Sequence, residues 1–165
     1  MAQLYLPVQD CILRHQDLID RDDFDELYTR LNYQNFKYIG ELTSAFYLAG
    51  IDPLKHVWYV PSQFFEHQYL PPEYKIPEGH TFIGSRAFFG VSNLKVCYIP
   101  EDITRIGMEA FANTECLEEI YIPYSVTSIG TRAIDKEVKI HCVENSVAQE
   151  YAVFNGNEYD FDYKY

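Results

Sequence analysis

The feature that most constrains this chain is one phrase of sequence written three times. Ile76-Pro77, Thr81-x-Ile83-Gly84 and Ala87-Phe88 recur as Ile99-Pro100, Thr104-x-Ile106-Gly107 and Ala110-Phe111, then as Ile122-Pro123, Thr127-x-Ile129-Gly130 and Ala133-Ile134. Each copy follows the last by 23 residues. A fixed period of this length marks a solenoid, in which each unit leaves an apolar face bare and the next unit covers it.

Stacking assigns a role to each repeated residue. Parallel strands lie about 4.8 Å apart, so equivalent side chains fall into columns. Ile83, Ile106 and Ile129 are expected to form one apolar column, and Phe88, Phe111 and Ile134 another. Small Ala87, Ala110 and Ala133 make room beside the aromatic column. Gly84, Gly107 and Gly130 are expected either at positive φ or where a neighbouring backbone leaves no space for a Cβ. Proline has no amide hydrogen for a ladder and holds the residue before it extended, so each Ile-Pro is both strand and stop. The strands then run over Leu94–Ile99, Leu117–Ile122 and Val138–Cys142, with Thr-x-Ile-Gly read as a turn and Ala-Phe as a brief helical or irregular segment. The threonines are expected to form a hydrogen-bonded column at that turn.

On these residues the chain resembles the BspA type of leucine-rich repeat protein, whose units carry I-P-x-x-[VI]-T-x-I-G-x-x-A-F. The resemblance covers about Ile76 to Phe154, including a closing phrase from His141 to Ala152. It implies stacked parallel strands, no cofactor and binding by surface contact. Many members of that family are exported adhesins, and others are found in bacterial and mobile-element genomes.

The expected architecture is an α/β solenoid: a short leucine-rich-repeat stack with a small parallel sheet, an N-terminal helical cap and a C-terminal cap. Residues 1–53 form the N-terminal segment. There Phe24, Leu27, Tyr28 and Leu31 share one helical face behind an acidic first turn, and a second helix is expected over 41–48, ended by Gly50. The repeats occupy 54–143, degenerate over 54–75 and clear over 76–143. In the degenerate part, Leu54 to Pro61 reads as an eroded copy of Leu94 to Pro100 with one residue added. Residues 144–165 form the C-terminal cap, with helical spacing from Ser146 to Phe154 and an alternating Tyr159-Asp-Phe-Asp-Tyr163 run suited to an edge strand.

Charge narrows the function classes. The formal net charge is −12, from 25 acidic and 13 basic residues, which disfavours direct binding to a phosphate backbone. The opening Met-Ala-Gln-Leu-Tyr-Leu-Pro has no basic stretch followed by an apolar one, and no segment is apolar for long enough to span a bilayer. The expectation is a cytoplasmic protein that does not engage membrane. Cys11, Cys97, Cys116 and Cys142 lack the close pairing of a zinc site and are expected as free thiols.

No catalytic set converges. His141 and Cys142 are neighbours on one predicted strand and face opposite ways. His15, His56, His67 and His80 lack ligand-like spacing, and every repeat glycine belongs to a Thr-x-Ile-Gly phrase. The chain is therefore expected not to be an enzyme and to use no cofactor or metal. If Leu94, Cys97 and Ile99 point inward, Val96 and Tyr98 face out, as do Glu119 and Tyr121, then Lys139 and His141. An exposed aromatic column of Tyr98 and Tyr121, with Trp58 or Tyr59 before it and His141 after, is the expected partner-binding surface. Such a face spans roughly 250 to 300 Å² in plan, against about 800 Å² for a standard interface. The partner must then also touch other parts of the chain.

The leading expectation is a non-enzymatic protein-protein interaction module, a small phage or mobile-element protein that binds and inhibits a host protein. The alternatives are an acidic nucleic-acid mimic that blocks a DNA-binding defence protein and, behind it, an extracellular adhesin. A homo-oligomer is left open.

Overall fold

The computed structural model describes residues 16–20, 57–58 and 70–163. In chain order these carry α1 (Gln16–Asp20), β1 (Val57–Trp58), β2 (Glu73–Lys75), β3 (Phe82–Ile83), β4 (Val96–Tyr98), β5 (Arg105–Ile106), β6 (Glu119–Tyr121), β7 (Ser128–Ile129), β8 (Lys139–His141), α2 (Val147–Asn155) and β9 (Tyr159–Asp160). The helices expected over 24–31 and 41–48 lie outside the described residues. Within α1, Leu18 is fully buried.

Each repeat contributes one strand to each of two parallel sheets. One sheet has four strands, in the order β1-β3-β5-β7, and the other has five, β2-β4-β6-β8-β9. The single small sheet expected from the sequence is therefore two. The correction falls on the Thr-x-Ile-Gly phrase, which is strand as well as turn: Phe82–Ile83, Arg105–Ile106 and Ser128–Ile129 pair in register. A β-branched residue on either side of one free position suits extended backbone. Glycine and the next turn then hold the strand to two residues.

The opening rung is also placed differently from the sequence reading. Val57 and Trp58 pair with Phe82 and Ile83, which puts them in the four-stranded sheet. The strand that precedes Val96–Tyr98 is Glu73–Lys75, immediately before Ile76-Pro77.

A third line of hydrogen bonds joins the Ala-Phe segments, which are turns and not helical. Phe88 N–H donates to the Ala110 carbonyl at 2.7 Å, and Phe111 N–H to that of Ala133 at 2.7 Å. This ladder sets Phe88 on Phe111, with ring centroids 4.5 Å apart and planes 15° off parallel. Ile134 follows in the same column. All three are buried, as are Ile83, Ile106, Leu94, Cys97, Ile99, Ile120 and Ile122. Each large apolar side chain so buried contributes about 2 to 3 kcal/mol.

Close approach explains the repeat glycines. A Cβ on Gly107 or Gly130 would lie under 3.0 Å from backbone atoms of the preceding repeat, and neither has positive φ. Positive φ falls two residues later, at Arg86 (58°), Glu109 (53°) and Arg132 (50°). Those three side chains form a column of alternating charge. The buried Glu109 carboxylate accepts from Arg86 Nε at 2.6 Å on one side and from Arg132 on the other. At the threonines, Thr104 Oγ1 donates to the Thr81 carbonyl and Thr127 Oγ1 to that of Thr104, each at 3.2 Å.

At the C-terminal side, α2 packs on the last rung. Ser146 stands at its N-cap and accepts from Gln149 N–H, and Gly156 ends it at φ 82°. Ala148 and Ala152 face the core and are fully buried. Tyr151 Oη exchanges hydrogen bonds with the backbone of Ile134 at 3.1 and 3.2 Å. β9 then pairs with β8 and adds a further rung to the five-stranded sheet.

Candidate interaction face

The register of the five-stranded sheet sorts its residues into three columns. Tyr74, Cys97, Ile120, Ile140 and Tyr159 form the middle one, which faces the core. On the outer side, one column holds Glu73, Val96, Glu119 and Lys139, and the other holds Lys75, Tyr98, Tyr121, His141 and Asp160. The period-two alternation of a strand places Tyr98, Tyr121 and His141 together. Their rings stack, Tyr98 on Tyr121 at 4.8 Å and Tyr121 on His141 at 4.2 Å.

This second column is covered progressively toward β9. Lys75 is exposed and Tyr98 half-buried, while Tyr121 is 9% and His141 5% exposed. The expectation of an exposed aromatic ladder is thus corrected at Tyr121 and His141. Stacking hides the ring faces, Asp160 of β9 covers His141, and the Tyr163 hydroxyl of the following segment reaches the Ile99 carbonyl at 3.4 Å. The first column stays open: Val96 is half-buried, and Glu119 and Lys139 keep 41% and 32% of their side-chain surface exposed.

Charged groups tie the last rungs together. His141 Nδ1 lies 2.7 Å from Asp160 Oδ1, and Lys139 Nζ lies 3.0 Å from Asp160 Oδ2 and 3.4 Å from Glu158. Burial pushes the Asp160 carboxyl up, but the Asp162 amide, Lys139 and His141 outweigh it and hold it at about 2. Asp160 and Glu158 raise the Lys139 ammonium in turn.

Among the described residues, the His141–Asp160 pair stands without a nucleophile hydrogen-bonded to its other nitrogen. A His–Asp pair orients a base only where the other imidazole nitrogen meets a nucleophile. Here His141 Nε2 is buried without a hydrogen bond, 3.3 Å from a Glu119 oxygen that lies off the N–H direction. Burial raises the thiol of Cys97 and that of Cys142, so neither is an activated thiolate. Cys97, Cys116 and Cys142 are free. Among the described residues no cluster of three or more His, Cys, Asp or Glu is placed to hold a metal ion, and no helix is long and apolar enough to cross a membrane.

Of the seven residues expected at the partner surface, Val96, Tyr98, Glu119, Tyr121 and His141 come together on one sheet face. Trp58 belongs to the other sheet, and Tyr59 lies outside the described residues. The sequence reading missed Lys75, Asp160 and Tyr163. Lys75 was findable, since the strand-ending Ile-Pro rule applied to Ile76-Pro77 puts it one rung before Tyr98.

Comparison with known proteins bears on the whole stack. A family model described as a BspA type leucine rich repeat region matches residues 29–141 in 6 copies. That span begins inside the 1–53 stretch read as helical. Among solved structures, the crystal structure of the pneumococcal vaccine antigen PcpA is similar at 17% identity and a TM-score of 0.39, over 66% of this chain and 44% of that one. The matched region thus spans less than half of that antigen chain. No curated protein matches. With the family match covering well over half of its residues, the chain belongs to the BspA-type leucine-rich repeat family.

Proposed function

We propose that this chain is a non-enzymatic protein-protein interaction module whose contact face is the outer side of the five-stranded sheet. The observation that carries the reading is the open column of Glu73, Val96, Glu119 and Lys139 beside the half-exposed Tyr98. It is an apolar and aromatic centre with charge around it, as recognition surfaces have. The repeat's Ile, Phe, Ala, Gly and Pro are committed to stacking. Tyr121 and His141 support the face from the neighbouring rungs, as the stack that Tyr98 joins.

Five rungs of three residues span roughly 240 Å², well below the about 800 Å² that each partner gives to a standard interface. The partner therefore extends onto exposed flanks such as Lys95 and Glu118. A module with nothing to transform acts by occupying another protein. The finer proposal is a cytoplasmic phage or mobile-element protein that inhibits the host protein it binds. The nucleic-acid mimic has less support, because a mimic gathers its carboxylates on one side. Here Glu78, Glu101, Glu115 and Glu137 are spread along the coil, with Arg105, Arg132 and Lys136 exposed among them.

Affinity capture from host lysate tests the face. The wild-type chain is expected to retain a defined partner that the Val96→Ala/Tyr98→Ala variant loses, while both melt alike. Retention of every wild-type partner by the double variant overturns the assignment.

A further inference from the structure

The segment after β9 reaches the ring column's sheet at a backbone acceptor that the repeat leaves open. In the five-stranded sheet the Glu119 amide donates to the Lys95 carbonyl, and parallel-ladder donors recur at every second residue. The donor that should meet the Ile99 carbonyl therefore belongs to position 123, which is proline and has none. The Ile-Pro corner leaves that acceptor to be filled from elsewhere, and the Tyr163 hydroxyl fills it at 3.4 Å. To get there the chain leaves Asp160 on the fifth rung and delivers Tyr163 to the second, about 14 Å away.

Three further observations agree. Burial rises along this column toward β9, from exposed Lys75 to His141 at 5%, while the parallel column of Val96 and Glu119 stays open. The origin of the segment is anchored by charge, with Asp160 held by Lys139, His141 and the Asp162 amide. Phe161, at 51%, and Asp162 are left exposed, while Asp160 and the half-buried Tyr163 make the contacts to the sheet.

We propose that this column is a groove for an acidic-aromatic peptide segment, that residues 160–163 occupy it in cis through Asp160 and Tyr163, and that a protein partner carrying such a segment displaces them. The inference rests on the sheet's outer side being the contact face. A carboxylate from the partner meets Lys139 and His141, a hydroxyl or amide meets the Ile99 carbonyl, and an aromatic ring extends the stack at Tyr98 toward Lys75. The Ile76 carbonyl, which faces Pro100 by the same register, offers the next acceptor.

Two measurements on the full chain test this, using Tyr163→Ala and the milder Tyr163→Phe, which keeps the ring and loses the hydroxyl. The first is carbethoxylation of His141 by diethyl pyrocarbonate, read by mass spectrometry against His80. The second is titration with a labelled peptide of the sequence of residues 158–165. With the strap loosened, His141 is expected to react faster than in the wild type, and the peptide to bind about tenfold tighter because the competing occupant is gone. Tyr163→Phe is expected to fall between the other two chains. Added peptide is expected to protect His141 again. Equal His141 reactivity in all three chains, or equal peptide affinity, overturns the inference whether or not Tyr163→Ala lowers the melting temperature. Either result leaves the face assignment standing, because that depends on capture through Val96 and Tyr98.

Discussion

At the scale of single residues, what decides this fold is how closely one repeat lies on the next. Gly107 is pressed against the backbone of Ser85 and has no positive φ, so its requirement is space. Gly107→Ala is expected to cost about 1 to 3 kcal/mol through overpacking, measured as a lower midpoint in chemical denaturation. A matching loss is expected at Gly130→Ala, whose Cβ would meet the Met108 backbone in the same way. The inner columns were legible in the sequence because a fixed period converts directly into contacts: Ile106 follows Ile83, and Phe111 follows Phe88. The charge column is written in the sequence just as regularly. Arg86, Glu109 and Arg132 stand two residues after each repeat glycine with alternating sign, yet charged residues outside an apolar pattern are ordinarily taken as solvated.

At the scale of elements, strand length limited what the sequence disclosed. Two-residue strands such as Arg105–Ile106 are too short to show an alternation, so in sequence the second sheet reads as turn. β2, Glu73-Tyr74-Lys75, has none of the leucine grammar of the later strands, and only the Ile76-Pro77 that follows marks it in the sequence. The outward direction of Tyr98, Tyr121 and His141 followed from alternation alone. Their burial did not, because it depends on ring stacking between strands and on the β9 segment, distant in sequence, whose Asp160 meets His141. That segment is tied to its strand by Asp160, and the tie is sensitive to acid. Its carboxyl titrates at about 2 when folded, against 3.8 in a free side chain. The unfolded chain therefore takes up the proton first, and the stabilisation from Asp160 is complete above about pH 4 and lost as pH falls toward about 2. Thermal melts across that window are expected to show a steeper loss in the wild type than in Asp160→Asn. Parallel curves would mean that Asp160 does not link acid to the stability of β9.

At the scale of the whole molecule, each rung touches mainly the rungs beside it, so stability is a sum of near-neighbour terms and need not be uniform. Backbone amides of β5, β6 and the Phe111 segment, covered from both sides, are expected to exchange with deuterium most slowly. Those of α2 and β9 should exchange faster, and residues 161–163 fastest. Mass spectrometry of peptic fragments reads this gradient, and uniform protection from Ile83 to Asp160 would show that the stack opens as a single unit. The alternating column at Arg86, Glu109 and Arg132 bears on how such a molecule grows. Copying one repeat would set carboxylate on carboxylate or guanidinium on guanidinium, whereas copying two in tandem preserves the order. The coil has a parity as well as a period, and a viable lengthening adds repeats in even numbers or changes a charge along with them.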